Sequence, residues 1–371
     1  MKVLMVGLAT FDQMAGGSAR YLSGLAESMR ALGHDVQVVT AATHVRASGY
    51  SERGLLGQIA RSVRRLILVI PGSFLTVLRN RPDTVNVHFA LDGLGAVLGA
   101  RVTGARVVVN FQGPWAAEAV ATGVRGRWHL STSVRRAIET WVYRRAHACI
   151  VLSTAFRDVL VESYGVPVSR VTVIPPGIDH ARFAPPSVDR GAQPFTIVTV
   201  RRLVPRMGLD IAIEAMALLP TVLDARLLIA GTGPERPRLE ELARQHGLED
   251  RVVLLGRVPD DELPALYQRA DACIVPSREL EGFGYVALEA LAAGVPVIAS
   301  ATGGLVDLLE PLEPRWLCPP DATHFARVLI ELAEDPDRFP TRSQCSAYAR
   351  RFDWPRISER VASVLFGDRV P

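Results

Sequence analysis

Two glutamates eight positions apart, Glu281 and Glu289, mark the segment whose residue types and spacing best fit a chemical reaction. Glu281 follows the apolar residues 273–276, which are typical of a buried strand, and open α/β sheets bind ligands at the carboxyl ends of their strands. Gly282 and Gly284 would let backbone amides at the next helix start approach the same ligand. Glu289, about one helical turn further on, could bond the paired hydroxyls of a ribose. The alternative is a solvated acid beside a helix cap.

Gly16 and Gly17 lie in the first turn between a strand and a helix. The turn does not spell G-x-G-x-x-G, so the fingerprint of dinucleotide oxidoreductases is missing. Two glycines at a helix N-terminus still let backbone N–H groups approach an anion, and the helix dipole adds to the attraction. A turn that merely requires a positive φ explains the pattern equally well.

The elements that would position these residues alternate between short apolar strands and helices, a pattern typical of doubly wound parallel sheets. We predict strands over 2–6, 35–40, 85–89, 106–110, 148–152 and 171–174, with helices over 17–32 and 131–146. A proline-rich linker covers 175–194. Beyond it we predict strands over 195–200, 226–230, 252–254, 272–275 and 295–299, and helices near 208–218, 235–246, 260–269 and 285–293. The residues after Asp321 are predicted to form helices alone.

The composition narrows the class of protein. A chain of 371 residues is long enough for two domains, and its 49% hydrophobic and 22% charged residues predict a folded protein. The uncharged run 66–78 is broken at Pro71 and too short for a membrane-spanning helix. No cationic segment with an apolar stretch and a small-residue cleavage site precedes the first strand, so we expect no secretory signal, and the four cysteines form no C-x-x-C pair. We therefore expect a cytoplasmic protein without a zinc site or disulfide framework.

The basic residues are almost all arginine, since Lys2 is the one lysine among 42 basic side chains. This bias fits a GC-rich, actinobacterium-like genome and nearly excludes pyridoxal-phosphate chemistry, which requires a lysine Schiff base. Residues 1–177 carry 20 basic and 10 acidic side chains (+10), and residues 178–371 carry 22 and 28 (−6), which sum to +4. The two halves therefore suggest separate domains with different partners. Aromatic residues are only 6%, so we expect no nucleic-acid partner.

The segment from Glu281 through Glu289-Ala-Leu-Ala-Ala-Gly-Val-Pro-Val-Ile-Ala resembles the donor-site motif of the retaining glycosyltransferases of family 4, the glycosyl transferases group 1. The resemblance extends over nearly the whole chain, through the Gly16-Gly17 turn, 171–179, 202–208, 230–233, 255–258 and 303–304. It implies the GT-B fold, in which two Rossmann-like domains face a cleft. It also implies transfer of a sugar from a nucleoside-diphosphate sugar to a hydroxyl acceptor, with retention at the anomeric carbon and without a metal or cofactor.

The resemblance also assigns domains and residues. Residues 1–177 would bind the acceptor and 178–351 the nucleotide sugar, with a helix near 352–371 packing back on the first domain. Glu289 would hold the ribose, Glu281 the donor sugar, and Arg202 the diphosphate. The remaining donor-site candidates are Gly16, Gly17, Arg206, Val258, Phe283 and Gly284. The phosphate oxygen would accept the acceptor's proton, so Arg202, Glu281 and Gln112 are the catalytic candidates.

Two positions depart from the family pattern. The lysine that would follow Arg202 by five positions is Met207 here, which leaves less stabilisation for the departing phosphate. Arg206 could substitute, or the site could work with one cation. The histidine expected after the fourth strand is Gln112, which forms hydrogen bonds but cannot change charge near pH 7. A mechanism with a general-base histidine at that position therefore does not carry over.

The acceptor side is less defined by the sequence. His88 and Trp115 are candidates, although a histidine at a strand end is more often a packed residue. The acceptor could be a lipid-linked or cell-surface glycan, or a natural product such as an aminocyclitol. The positive charge of residues 1–177 favours a phosphate-bearing or membrane-associated acceptor, with possible peripheral membrane contact. The arginines behind this expectation are Arg61, Arg64, Arg65, Arg125, Arg127, Arg135, Arg136, Arg144 and Arg145.

Two other functions remain open at this point. A GT-B sugar epimerase would release free nucleotide without an acceptor. A nucleotide-sugar-binding protein with weakened catalysis would be compatible with Met207 and Gln112, although both donor-site glutamates remain. The D-x-D sequence at 335–337 lies between late helices, so we interpret it as a helix cap and not as a metal site.

Overall fold

The chain divides into two compact units. The computed structural model describes residues 1–7, 16–40, 68–116, 132–186 and 194–367. Unit 1 consists of Met1–Gly177 and Trp354–Pro371, and unit 2 of Ile178–Asp353. Each unit contains a six-stranded parallel sheet, so the predicted α/β class with two Rossmann-like, doubly wound domains is confirmed.

The sheet of unit 1 has the strand order β2-β1-β3-β4-β5-β6. The strands are β1 (Lys2–Gly7), β2 (Asp35–Thr40), β3 (Thr84–Val87), β4 (Arg106–Phe111), β5 (Ala148–Val151) and β6 (Val171–Val173). The helices are α1 (Gly17–Ala31), α2 (Ile70–Asn80), α3 (Ala90–Thr103), α4 (Thr132–Arg145), α5 (Thr154–Asp158) and α13 (Trp354–Phe366). The central strands β3 and β5 are buried at every residue, as expected for a parallel sheet covered on both faces.

Helices α2 and α3 are absent from the predicted set. Helix α3 is apolar around most of its circumference, with Ala96, Val97 and Ala100 at most 1% exposed, so it lacks the amphipathic period that reveals a surface helix. It also contains glycines, which weaken a helix prediction. At Gly95 the glycine is required by packing, because a Cβ there would lie 1.8 Å from the carbonyl oxygen of Ile70 in α2.

The C-terminal helix α13 packs on unit 1. Ser28 in α1 and Ser358 in α13 share a hydrogen bond of 2.8 Å, and the Thr84 hydroxyl donates to the carbonyl oxygen of Leu365 at 2.9 Å. The indole of Trp354 fills the space that a Cβ at Gly24 would need, 2.5 Å away. The chain therefore leaves unit 1 after Gly177 and returns to it at Trp354.

The sheet of unit 2 has the strand order β12-β11-β10-β7-β8-β9. The strands are β7 (Phe195–Val200), β8 (Ala225–Ala230), β9 (Val252–Gly256), β10 (Ala272–Val275), β11 (Val297–Ser300) and β12 (Leu317–Cys318). The helices are α6 (Leu209–Ala217), α7 (Arg236–Gln245), α8 (Leu263–Gln268), α9 (Tyr285–Ala292), α10 (Gly304–Leu309), α11 (Ala322–Glu334) and α12 (Arg342–Ala349).

The order of these strands reverses between β7 and β10, which pair with each other in parallel. In open α/β sheets such a switch point leaves a crevice beyond the carboxyl ends of the two strands. The predicted helical tail after Asp321 is confirmed, whereas β12 was not predicted because two residues are too few to show a strand period. None of the described helices combines a length of at least 18 residues with the apolar composition needed to cross a membrane.

Candidate active site

The loops that follow β7, β8, β10 and β11 meet at the switch point of unit 2. Their backbones approach so closely that several glycine positions accept no side chain. A Cβ at Gly208, Gly231 or Gly303 would lie 1.9, 1.8 or 2.1 Å from the carbonyl oxygen of Pro276, Arg201 or Glu281, respectively. All three glycines have a positive φ, the conformation that L side chains disfavour. The glycines thus fix the loops that carry the candidate residues.

Glu281 lies in the loop beyond β10 and not directly at the strand end, since Val275 ends the strand. Its carboxylate Oε2 accepts a hydrogen bond from Ser277 Oγ at 2.9 Å and forms an ion pair with Arg201. Leu280, immediately before it, has a φ of 54°. A left-handed leucine is strained, and such strain persists only where surrounding contacts enforce it.

The environment of Glu281 keeps its carboxyl ionised. Burial alone would raise the pKa, because it disfavours the charged form. The positive charge and hydrogen bond of Arg201 act in the opposite direction, and the Ser277 hydroxyl and the charge of Arg206 add to them. The net result is a pKa below the usual range for glutamate. An ionised carboxylate in this crevice can accept hydrogen bonds from sugar hydroxyls.

Three arginines follow β7 and differ in their surroundings. Arg202 is exposed, whereas Arg201 and Arg206 are buried at 8% and 6% exposure. Arg206 Nη1 donates to the carbonyl oxygen of Leu280 at 3.2 Å, and its own carbonyl oxygen accepts from the backbone N–H of Arg278 at 2.9 Å. Arg206 therefore holds the Glu281 loop. Arg201 was not among the predicted site residues. Its position directly after a buried strand is the sequence feature that could have indicated it.

Glu289 lies on α9 and is 1% exposed. Its Oε2 accepts a hydrogen bond of 2.8 Å from the Tyr267 hydroxyl. Gly284, with a φ of 87°, starts this helix, and Phe283 is buried with its ring 5.6 Å from that of Phe352. The structure thus places Glu289 beneath the surface of unit 2, beside Tyr267, which was not among the predicted site residues.

The remaining donor-site candidates are more exposed. Val258 is half-buried in the loop after β9. Gly16 and Gly17 belong to unit 1, where Gly17 begins α1 as predicted. Gly16 has a φ of 150°, and a Cβ there would meet no heavy atom within 4 Å, so space for a side chain is not what limits this position.

In unit 1, a chain of buried polar side chains lies at the carboxyl ends of β3 and β4. Asn86 Oδ1 accepts from Asn110 Nδ2 at 2.9 Å and contacts His88 Nε2 at 2.7 Å. Tyr21 donates to Asn110 Oδ1 at 3.2 Å, and Gln112 Nε2 lies 3.1 Å from His88 Nδ1. His88 and Gln112 were predicted site residues, whereas the three residues that hold them were not, because these occupy positions typical of core side chains.

The hydrogen bonds of this chain fix the histidine tautomer. Asn86 Nδ2 donates to the backbone carbonyl of Val108 at 3.2 Å, so its Oδ1 must be the acceptor that faces His88. His88 therefore donates from Nε2 and accepts at Nδ1 from the Gln112 amide. Burial lowers the pKa of His88 to about 3, so the ring is neutral and serves to orient Gln112.

We expect His88 to make unit 1 less stable in acid. The folded residue stays neutral down to about pH 3, whereas the unfolded residue takes a proton near pH 6.5. Its contribution is therefore complete above pH 6.5 and is lost as the pH falls, by about 1.4 kcal/mol per pH unit. Denaturant titrations of wild type and His88→Gln at pH 7.5 and 5.5 test this. An equal loss of stability in both proteins would contradict it.

Trp115 lies just beyond β4 and is held by a buried carboxylate. Its backbone N–H donates to Glu139 Oε1 at 2.8 Å, and its ring packs edge-on against Phe89 at 5.3 Å, with the Arg135 guanidinium 4.7 Å from the ring centroid. Burial raises the pKa of Glu139, although four hydrogen bonds to the carboxylate favour the ionised form. Trp115 is thus half-buried and held in place just beyond β4.

The arginines expected to attract an anionic acceptor divide into two groups. Arg61, Arg64, Arg65, Arg125 and Arg127 lie outside the described residues. The four others belong to α4 and have contacts within unit 1. Arg136, Arg144 and Arg145 donate to the carbonyl oxygens of Ser163, Gly165 and Trp141, respectively, and Arg135 lies over Trp115.

Two Rossmann-like units in one chain are the architecture of the GT-B class of glycosyltransferases, and comparison with known families agrees. Residues 15–182 match the model of Glycosyltransferase Family 4, and residues 183–352 match that of Glycosyl transferases group 1. The chain belongs to this glycosyltransferase family.

Relatives cover the whole chain or its parts. Glycogen synthase of Mycobacterium tuberculosis is 28% identical over 100% of this chain and 97% of its own length. D-inositol 3-phosphate glycosyltransferase of Salinispora tropica is 35% identical over 57% of this chain and 48% of its own. The structure of Anabaena HepE in complex with UDP-glucose superimposes with a TM-score of 0.76 at 21% identity, covering 98% of this chain and 99% of that one. At 21% identity, the structural similarity shows that the two proteins share a fold.

Proposed function

We propose that this protein is a retaining, metal-independent glycosyltransferase that moves a sugar from a nucleoside-diphosphate sugar to a hydroxyl acceptor. The observation that carries the proposal is the ionised Glu281 with its arginines at the switch point of unit 2, where open α/β sheets bind nucleotides. The UDP-glucose complex of HepE, which has the same fold, supports a nucleotide-sugar donor.

Unit 2 would bind the donor. Glu281 accepts hydrogen bonds from sugar hydroxyls, and the exposed guanidinium of Arg202 binds the diphosphate, whose negative charge grows as the sugar leaves. Glu289 accepts from the ribose hydroxyls, with Tyr267 fixing its carboxylate. Since Glu289 is 1% exposed here, the ribose reaches it only after neighbouring side chains move.

Unit 1 would bind the acceptor near Gln112. The Gln112 amide nitrogen is directed at His88, which leaves its carbonyl oxygen to accept a hydrogen bond from a sugar. The acceptor oxygen bonds to the anomeric carbon as the bond from that carbon to the phosphate oxygen breaks. The acceptor's proton passes to that phosphate oxygen, because a histidine with a pKa of about 3 is too weak a base near pH 7.

The acceptor would carry phosphate or lie at a membrane surface. The +10 balance of residues 1–177 attracts anions, and one relative is named for a phosphorylated acceptor, D-inositol 3-phosphate. Co-sedimentation with anionic and neutral vesicles at two salt concentrations tests membrane contact. Robust transfer to an aminocyclitol, together with vesicle binding that does not respond to salt, would reject this acceptor class.

A donor screen tests the reaction itself. Calorimetry with UDP-, GDP- and dTDP-sugars identifies the nucleotide, and NMR of the product gives the anomeric configuration, with a chelator present to test metal independence. Donor binding without turnover on any acceptor would instead favour a nucleotide-sugar-binding protein. Release of free nucleotide without an acceptor would favour the epimerase.

We expect Glu289→Ala to weaken nucleoside-diphosphate binding by about 1.5–3 kcal/mol, the range for hydrogen bonds to a charged group. Glu334→Ala, which truncates an exposed glutamate of α11, is the matched control and should bind normally. Titration calorimetry on both folded variants measures the difference. Unchanged affinity in Glu289→Ala would remove Glu289 from the donor site.

A further inference from the structure

Arg201 is a buried cation whose direction is fixed by the sheet. Its backbone N–H donates to the carbonyl oxygen of Ala230 at 2.8 Å, which extends the pairing of β7 and β8 by one residue. Side chains alternate along a strand, and Arg201 accordingly turns inward while Arg202 is exposed. Gly231 permits this geometry, because a Cβ there would lie 1.8 Å from the Arg201 carbonyl oxygen.

The Arg201 guanidinium lies between a carboxylate and a thioether. Its Nη2 forms the ion pair with Glu281 Oε2, and the two side chains are 5% and 13% exposed. The same Nη2 lies 2.8 Å from the sulfur of Met207, and Nε lies 3.2 Å from it. A buried ion pair is sensitive to the loss of either partner, since the remaining charge is left without compensation.

Met207 provides an uncharged neighbour for this cation. A lysine at position 207 would be one atom longer than methionine, and its ammonium would lie two bonds beyond the atom that contacts the Arg201 guanidinium. Two cations at that separation repel each other strongly in a buried site. Cations at both position 201 and position 207 would therefore destabilise this part of unit 2.

We propose that Arg201 is the positioning residue for Glu281, and that Arg201 and Met207 work as an interdependent pair. Arg201 keeps the Glu281 carboxylate ionised and oriented toward the donor sugar, and Met207 leaves room for it. This inference rests on the proposed function for its consequence in donor binding. Arg206 has a different task, because its Nη1 bonds the Leu280 carbonyl and thereby holds the loop.

A double-mutant cycle on the full chain tests the pair, using Arg201→Ala, Met207→Lys and the double variant. Without ligand, we expect each single variant to lower the melting temperature by about 4 °C or more. The double variant should melt above Arg201→Ala, because the new lysine can pair with Glu281. Val253→Lys, at an exposed position of β9, controls for adding a lysine. Additive melting shifts, or a silent Met207→Lys, would overturn the proposal.

The second readout is donor binding, with whichever of UDP-, GDP- or dTDP-glucose the wild type binds. Each single variant should lose about tenfold or more in affinity, and the double variant should recover most of that loss. Donor affinity is expected to fall at low pH as the Glu281 carboxyl takes up a proton. Loss of Arg201 should move this fall to higher pH, because the carboxyl is then protonated more readily. A merely structural role for Arg201 would leave the pH of this fall unchanged, which would overturn the proposal.

The two readouts separate this inference from the proposed function. If the wild type binds none of the three sugar nucleotides, the proposed function fails, while the ligand-free cycle still decides whether positions 201 and 207 are coupled. If donors bind and the cycle is additive, the donor site stands and the interdependence of Arg201 and Met207 is rejected.

Discussion

Arg202→Ala is expected to lower turnover about 100- to 1,000-fold, the range observed when one group that stabilises developing negative charge is removed. Arg202 follows β7 at the switch point, and its side chain is exposed while the neighbouring Arg201 is committed to Glu281. The diphosphate gains charge as the bond to the sugar breaks, so the cation that contacts it contributes mainly to the transition state. Donor affinity should fall less than turnover.

Steady-state kinetics with a saturating donor measures this effect. Arg226→Ala, which truncates an exposed arginine of β8 in the same unit, is the matched control and should keep wild-type turnover. Arg202→Lys should recover part of the loss, because it keeps the charge but not the two-pronged geometry of the guanidinium. Unimpaired turnover in Arg202→Ala would assign the diphosphate to a different cation.

Most strands could be predicted because apolar runs in parallel sheets are short, continuous and bounded by glycine or proline. The predicted strand 195–200 and the observed β7 coincide, as do 35–40 and β2. Helix α3 was missed because, like the strands, it is a largely continuous apolar segment in the sequence. It is buried on most sides, so its sequence carries no polar face to reveal a helical period.

Glycines and charges in the sequence indicated part of the candidate site, although each of them also had a purely structural explanation. The pair Gly303-Gly304 packs against the Glu281 loop, where the Gly304 N–H donates to the Glu281 carbonyl oxygen at 3.0 Å. Arg201 was not predictable in the same way, because sequence alone does not say which of two adjacent arginines turns into the sheet. The partner of a buried charge is set by tertiary packing.

His88 lies just beyond β3 as a packed residue, and its role on the acceptor side stays a prediction. It is 9% exposed and packed among Tyr21, Asn86 and Asn110. Histidines at strand ends are usually packed in this way. His88 also contacts Gln112, the candidate at the family's histidine position. Proximity of β3 and β4 in the sheet brings them together across 24 positions of sequence, a relation that no local pattern displays.

Glu139→Ala is expected to destabilise unit 1 by about 3–5 kcal/mol, the largest effect we foresee on stability. Glu139 is fully buried, and its carboxylate accepts from four donors among the described residues. These are the backbone N–H groups of Trp115 and Ala116, at 2.8 and 3.3 Å, and the hydroxyls of Tyr143 and Tyr164, at 3.3 and 2.9 Å. Truncation leaves all four donors buried without an acceptor.

A graded series measures the Glu139 effect. Tyr164→Phe removes one of the four hydrogen bonds and keeps the ring, so it should cost about 1–2 kcal/mol. Tryptophan fluorescence during denaturation reports mainly on unit 1, which contains four of the five tryptophans.

Because Glu139 also fixes the backbone of Trp115, Glu139→Ala should raise the acceptor KM more than the donor KM under conditions where it stays folded. A stability of Glu139→Ala within 1 kcal/mol of wild type (about the value of a single hydrogen bond) would show that the loop beyond β4 does not depend on this carboxylate.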